Sequence, residues 1–144
     1  MPEYTSNSVQ TVAVGQNVLF TETAVKCTRG YVNHREGAGT ITLRGIVNNP
    51  SACFARYQIS FGGNIAIPTA GAVGEITLAV AVDGEALGPA TMAATPAAVE
   101  EFWNVHSSIF VDVPKGCCST ITIQNTSTQA IDVRNANIII ERTA

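Results

Sequence analysis

Apolar and polar residues alternate along most of this chain. Within residues 74–82, Ile76, Leu78, Val80 and Val82 fall on one face of an extended backbone, and Glu75, Thr77, Ala79 and Ala81 on the other. A period of two predicts a half-buried strand. It ends at Asp83-Gly84, a pair favoured in two-residue hairpin turns. The return strand starts near Ala86 and runs towards Met92, interrupted by Gly88-Pro89. Pro89 has no N–H to give a ladder, so it belongs at a sheet edge or a bulge.

Other segments repeat the pattern. Val12, Val14, Val18 and Phe20 flank a turn at Gly15-Gln16-Asn17, and a short strand over 40–44 follows Gly37-Ala38-Gly39. Residues 56–61 alternate and stop at Gly62-Gly63. Residues 108–113 stop at Pro114-Lys115-Gly116, and residues 119–124 at Asn125-Thr126-Ser127. Two further strands, 130–133 and 136–141, close the chain. Helical periodicity is nearly absent. Around 95–103, Thr95 as a cap, Pro96 at the first helical position and Glu100-Glu101 predict one helical turn or a structured loop. The sum is about eight to ten short strands separated by turn residues, the pattern of an all-β sandwich or barrel. We expect one domain over 11–144, preceded by a polar arm over 1–10.

Composition sharpens this picture. Of 144 residues only 13% are charged, about half the usual share. Such a surface is easily buried against another protein, because few ions lose their water. A stable monomer with a neutral, hydroxyl-rich surface is the other reading. The net charge of −3 and eight scattered basic residues argue against nucleic acid, which needs clustered Lys and Arg. No apolar run is long enough to cross a bilayer, and residues 1–8 show no secretory pattern. Folding in the cytosol, or in a particle assembled there, is expected.

Chemistry is sparse. The cysteines are Cys27, Cys53, Cys117 and Cys118. No C-x-x-C spacing is present, and the adjacent pair on a strand would point to opposite faces. Cytosolic origin predicts reduced thiols in core or interface positions. The two histidines, His34 and His106, sit in no catalytic motif, and no G-x-S-x-G, P-loop or H-E-x-x-H occurs. We therefore expect no enzyme and no cofactor. The densest polar cluster is Asn33-His34-Arg35-Glu36. It is either an intersubunit or ligand-contact loop, with Arg35 offering a planar fork to a carboxylate, or a solvated loop with a local ion pair. The only Trp, Trp103, lies close to His106. It is either an interface or sugar-stacking anchor, or a core residue.

Residues 110–116, then 121–127, then Ile131, then 135–140 resemble the tail of bacterial C1q/TNF-like domains. The pattern is a V-P-x-G turn, a strand ending at N-T-S, and a final strand opening with N-A-N. The segments Asn33-His34-Arg35-Glu36, residues 61–66 and residues 114–118 also resemble small structural proteins of Firmicutes phages and prophages. This resemblance implies a jelly-roll β-sandwich that trimerises through one sheet face. It also implies a virion role, as a homotrimeric capsid decoration protein whose partner is the major capsid protein or another virion protein. The alternative is a module of a virion tail or bacterial surface that recognises a host glycan or protein. No Gly-X-Y stalk precedes the domain in this sequence, which moves the expectation from a stalk tip to a free-standing trimer on a particle. His34, Arg35, Glu36, Trp103 and His106 are then candidate intersubunit or ligand contacts. Pro2, Glu3 and Tyr4 form a candidate docking arm able to add a strand to a neighbour.

Overall fold

A computed structural model of the chain describes residues 2–27, 30–45, 53–115 and 118–143. Eleven strands run through them: β1 (Glu3–Ser6), β2 (Gln10–Val12), β3 (Glu22–Val25), β4 (Val32–His34), β5 (Ile41–Leu43), β6 (Phe54–Ala66), β7 (Ile76–Val82), β8 (Glu85–Ala94), β9 (Trp103–Pro114), β10 (Ser119–Asn125) and β11 (Ile131–Arg142). They form two sheets. One has the order β3-β1-β11-β6-β9, with β2 also paired to β11; the other has the order β4-β5-β10-β7-β8. Every pairing is antiparallel. No helix forms among the described residues, so none is long and apolar enough to cross a membrane.

Period-two alternation places the core. In β6, Ala55, Tyr57, Ile59, Phe61 and Ile65 are fully buried, while Arg56, Gln58, Ser60, Gly62 and Asn64 between them face outwards. In β7 and β10 the inward residues are Ile76, Leu78, Val80, Ile121 and Ile123. These side chains meet between the sheets in one apolar cluster with Phe20, Ile41, Leu43, Ile138 and Ile140. Burying each large aliphatic stabilises by about 1.5–3 kcal/mol relative to exposure.

The hairpin at Asp83-Gly84 is as the dipeptide predicts. Both residues have positive φ, 52° and 86°, as a type I′ turn requires. Pro89 lies in β8, the edge strand of its sheet, opposite a register break between Ala79 and Ala81.

Three expectations differ. Residues 2–10 are no free arm: β1 is inserted between β11 and β3, and Tyr4 and Ser6 are each 3% exposed. Pro2, Glu3 and Tyr4 are therefore not available as a strand for a neighbour; Glu3 and Tyr4 already pair with Ile139 and Ile138. Of the two readings for 95–101, the structured loop is the one that forms, with Glu100 at φ 59° donating its N–H to the Ile67 carbonyl. Strand β6 runs through Gly62-Gly63 instead of stopping there. A Cβ on Gly63 would lie 3.3 Å from the Phe61 ring and 3.4 Å from the Ala136 backbone, so this glycine serves close packing, not a turn. The two closing strands are one, β11, broken in register between Arg134 and Asn137. Of the expected turn after β9, Gly116 lies outside the described residues, as does Cys117.

The turn after β10 is held by a buried amide. Asn125 is 1% exposed. Its Nδ2 donates to the carbonyls of Val12 and Gln129, each at 3.0 Å, and its Oδ1 accepts from the Ser127 N–H at 2.8 Å. Asn125→Ala strands these buried groups and should lower stability by about 1–3 kcal/mol. Urea denaturation measures this; a midpoint equal to that of the wild type would refute the role.

Candidate functional site

Strand alternation gives the six-stranded sheet an outer face built in rows. Thr5, Asn137, Gly62 and His106 lie side by side, as do Glu3, Ile139, Ser60 and Ser108, and then Glu141, Gln58 and Phe110. Gln58 Nε2 donates to Ser108 Oγ at 3.2 Å, Ser60 and Ser108 hydroxyls share a 3.2 Å bond, and Asn137 Nδ2 donates to Glu3 Oε2 at 3.1 Å. Arg56 and Asp112 form a two-pronged ion pair, 2.8 and 3.2 Å, with the guanidinium 5.0 Å from the Phe54 ring centre. This pair cancels in charge. At the β9 edge of this face, in the row of Glu141 and Gln58, stands Phe110, 58% exposed. The strand that carries it, β9, is twelve residues long and lies at the sheet edge. Its outward N–H and C=O groups face no further strand of the sheet.

The five candidate contact residues do not converge. His106 is on the outer face, against Gly62, where a Cβ would come within 3.8 Å of its ring. Trp103 pairs with the inward-facing Ile65, so it lies on the opposite face of β9 from His106. At the start of the strand it remains 44% exposed, which removes the core reading, and its Nε1 donates to Glu101 at 2.7 Å. The polar cluster 33–36 is at the far side of the sandwich, beside β3 and β4. There His34 and Glu36 line a cavity of about 270 Å³ with Tyr4, Thr23, Lys26, Cys27, Val32 and Asn33. Arg35 is exposed and is not part of its lining.

The His34 ring stacks at a tilt on Tyr4, with centroids 4.4 Å apart, and meets Phe20 edge-on. Its Nε2 is 2.8 Å from the Ala38 carbonyl. A carbonyl only accepts, so Nε2 carries the proton. Nδ1 is buried without a partner. Burial pushes the Tyr4 hydroxyl above the ordinary phenol range, with Cys27 adding to the effect, so at neutral pH it is a donor.

Phe110, Thr23 and Lys26 are absent from the sequence-based candidates. Phe110 alone left a signal: a large aromatic between Ser108 and Asp112 on the polar side of an alternating strand. Cys118 is in a disulfide, against the expectation of reduced thiols, while Cys53 is an exposed thiol. Among the described residues, no group of three or more His, Cys, Asp or Glu is placed to hold a metal ion.

With this geometry in view, comparison defines the class. No protein-family model and no curated protein sequence matches the chain. Among solved structures it is similar to the globular domain of a zebrafish complement 1qA protein, at 12% identity, covering 96% of this chain and 94% of that one, with a TM-score of 0.62. It is also similar to an Eiger TNF from S. frugiperda, at 8% identity, covering 99% and 91%, with a TM-score of 0.70. At such identities the likeness concerns the fold: the chain is a C1q/TNF-like jelly-roll β-sandwich.

The ion pair makes a pH prediction. The Arg56 hydrogen bonds hold the Asp112 carboxyl below its ordinary value of 3.8. A depressed folded pKa stabilises above the unfolded pKa, and the contribution is lost as pH falls through the folded one. Both groups are exposed, so the effect is small. Asp112→Asn should melt slightly below wild type at neutral pH, with the gap closing as the pH falls below the ordinary carboxyl range and through the lowered Asp112 value. A gap that persists in acid would show that the pair is not its cause.

Proposed function

We propose that this protein is a non-enzymatic structural module that assembles as a homotrimer through the outer face of its six-stranded sheet and decorates a phage capsid. The observation that carries the assembly is Phe110: an aromatic 58% exposed on a polar outer face at a twelve-residue edge strand. An exposed aromatic beside Gln58 and Ser108, with the adjacent Arg56 and Asp112 charges paired to each other, can serve as an interface anchor. The chain's 13% charged residues lower the desolvation cost of the whole contact.

Three-fold closure and the capsid setting draw on the sequence resemblance to C1q/TNF-like domains and phage structural proteins. The major capsid protein is then the partner, and the virion, assembled in the bacterial cytoplasm, is the location. Burying the face three times around an axis also closes the β9 edges, which would otherwise recruit further strands.

Sedimentation velocity on the full chain at micromolar concentration tests the assembly. The trimer has about three times the 15.1 kDa chain mass. Phe110→Asp places a charge at the centre of the contact, a desolvation penalty of several kcal/mol in the assembly, and should sediment as a folded 15.1 kDa monomer. A wild-type monomer would refute the proposal, as would an intact trimer of Phe110→Asp.

A further inference from the structure

His106 stands on the face through which copies are proposed to meet. It shares that side of β9 with Ser108 and Phe110, in a row with Gly62, Asn137 and Thr5. At about 3.3 Å per residue, four positions separate it from Phe110 by about 13 Å. An interface of standard size covers about 800 Å² per partner, a disc about 16 Å in radius. A contact centred on Phe110 therefore covers His106. The ring also lies low. Gly62 opposite has no side chain, and a Cβ there would stand 3.8 Å from His106 Cδ2 and 3.0 Å from Asn137 Oδ1. The imidazole leans over the Gly62 backbone, towards the middle of the sheet and away from its open edge.

No acid of the same chain is placed to pair with this ring when it is protonated. Among the described residues His106 makes no hydrogen bond or ion pair. On β9 the acid of that face is Asp112, six residues on, and Arg56 of β6 already holds it. The β6 positions beside His106 are Ser60, Gly62 and Asn64, none of them ionisable. On β11 the next row carries Arg134, its guanidinium 4.0 Å from the Phe102 ring centre. Asp132 is 6% exposed and accepts a hydrogen bond from Thr11, and Glu141 is two rows away in the other direction. On β1, three strands across, Glu3 accepts from Asn137. The neighbouring row thus holds a cation, and the acids are engaged or distant.

Protonation of the ring is easy in the free chain, where water surrounds it, and costly in the assembly, where it would bury a cation. Given the assembly through the outer face, on which this rests, we infer that His106 is an acid-sensitive switch of that assembly. Copies stay together while the imidazole is neutral and separate when it gains a proton. The linkage has one sign. A group harder to protonate in the trimer than in the free chain favours the trimer above the pH at which free imidazoles charge, and opposes it below. The chain has only two histidines, and histidine is the side chain that ordinarily titrates between pH 5 and 8. For an ordinary free imidazole, the step from pH 7.5 to 5.5 lowers the association constant by up to about ten-fold per chain, and by up to about a thousand-fold for three.

The test is sedimentation velocity of the full chain over a concentration series at pH 7.5 and at pH 5.5, at equal ionic strength. Circular dichroism of the same samples follows the fold. The wild-type association constant should fall by about two to three orders of magnitude at pH 5.5, with the β signal unchanged. In His106→Asn and His106→Gln, at an exposed position, the constants at the two pH values should be equal. The readout is their ratio, so a variant whose contact is itself weaker still reports. Equal wild-type constants at both pH values overturn the switch and leave the trimer standing. Tighter assembly in acid does the same, because it shows a carboxylate of a neighbouring copy receiving the charged ring. A pH dependence kept by both variants also overturns it, because the cause then lies elsewhere. A wild-type monomer at both pH values removes the assembly itself, and the switch with it.

Discussion

Strand β11 has two edges and three partners. Along one edge, β6 accompanies it from Asp132 to Arg142; along the other, β2 takes residues 131–133 and β1 takes residues 136–139. A regular strand keeps one set of side chains on one face for its whole length. Asn135 breaks that regularity. It adopts φ 52°, a left-handed conformation that asparagine tolerates better than most residues. Its N–H donates to the Asn7 carbonyl in the link between β1 and β2. The inward set therefore changes parity, from Ile131 and Val133 before the bulge to Ala136, Ile138 and Ile140 after it. The core on one side and the outer face on the other both depend on that change, because β11 sits between β1 and β6 in the sheet.

The change of parity also explains what the sequence hid. Residues 130–133 and 136–141 look like two strands, because a change of phase along a chain looks like a break. Gly62-Gly63 looks like a stop, because glycine is also the commonest turn residue; only the proximity of Phe61 and Ala136 shows why Gly63 must lack a side chain. The N-terminal segment looks like a free arm, because Glu3, Thr5 and Asn7 are polar. Yet Tyr4 and Ser6 alternate with them and are buried, a four-residue signal too short to stand out. By contrast, the strand and turn over residues 76–84 were legible in position, although Ala79 and Ala81, on the face expected to be open, are fully buried. There a clean alternation ends in a dipeptide whose conformational preference matches the turn, so local and global demands agree.

The functional surfaces were less legible than the fold. Proximity along the chain misleads on a strand: Trp103 and His106, three residues apart, face opposite ways. The cavity is assembled from β1, β3, β4 and their connections, and no pattern within one segment announces such a meeting. The cluster at 33–36 marked its location through composition alone, and only His34, Glu36 and the preceding Asn33 reach it. Composition spoke more plainly about the outer face. A chain this poor in charge has a surface suited to being covered, and the place we propose is the outer face of the six-stranded sheet, where Gln58, Ser60 and Ser108 bond to one another and Phe110 is left exposed.

That face at the β9 edge is the central claim, and hydrogen exchange as a function of protein concentration tests it most directly. In a lone chain the amides of β9 that point away from β6 exchange freely, as do the outward amides of β8, the edge of the other sheet. Copies meeting through the outer face should slow exchange along Trp103–Pro114 as concentration rises and leave Glu85–Ala94 unchanged. Protection that rises along β8 instead, or no dependence on concentration together with monomer mass, would contradict the account.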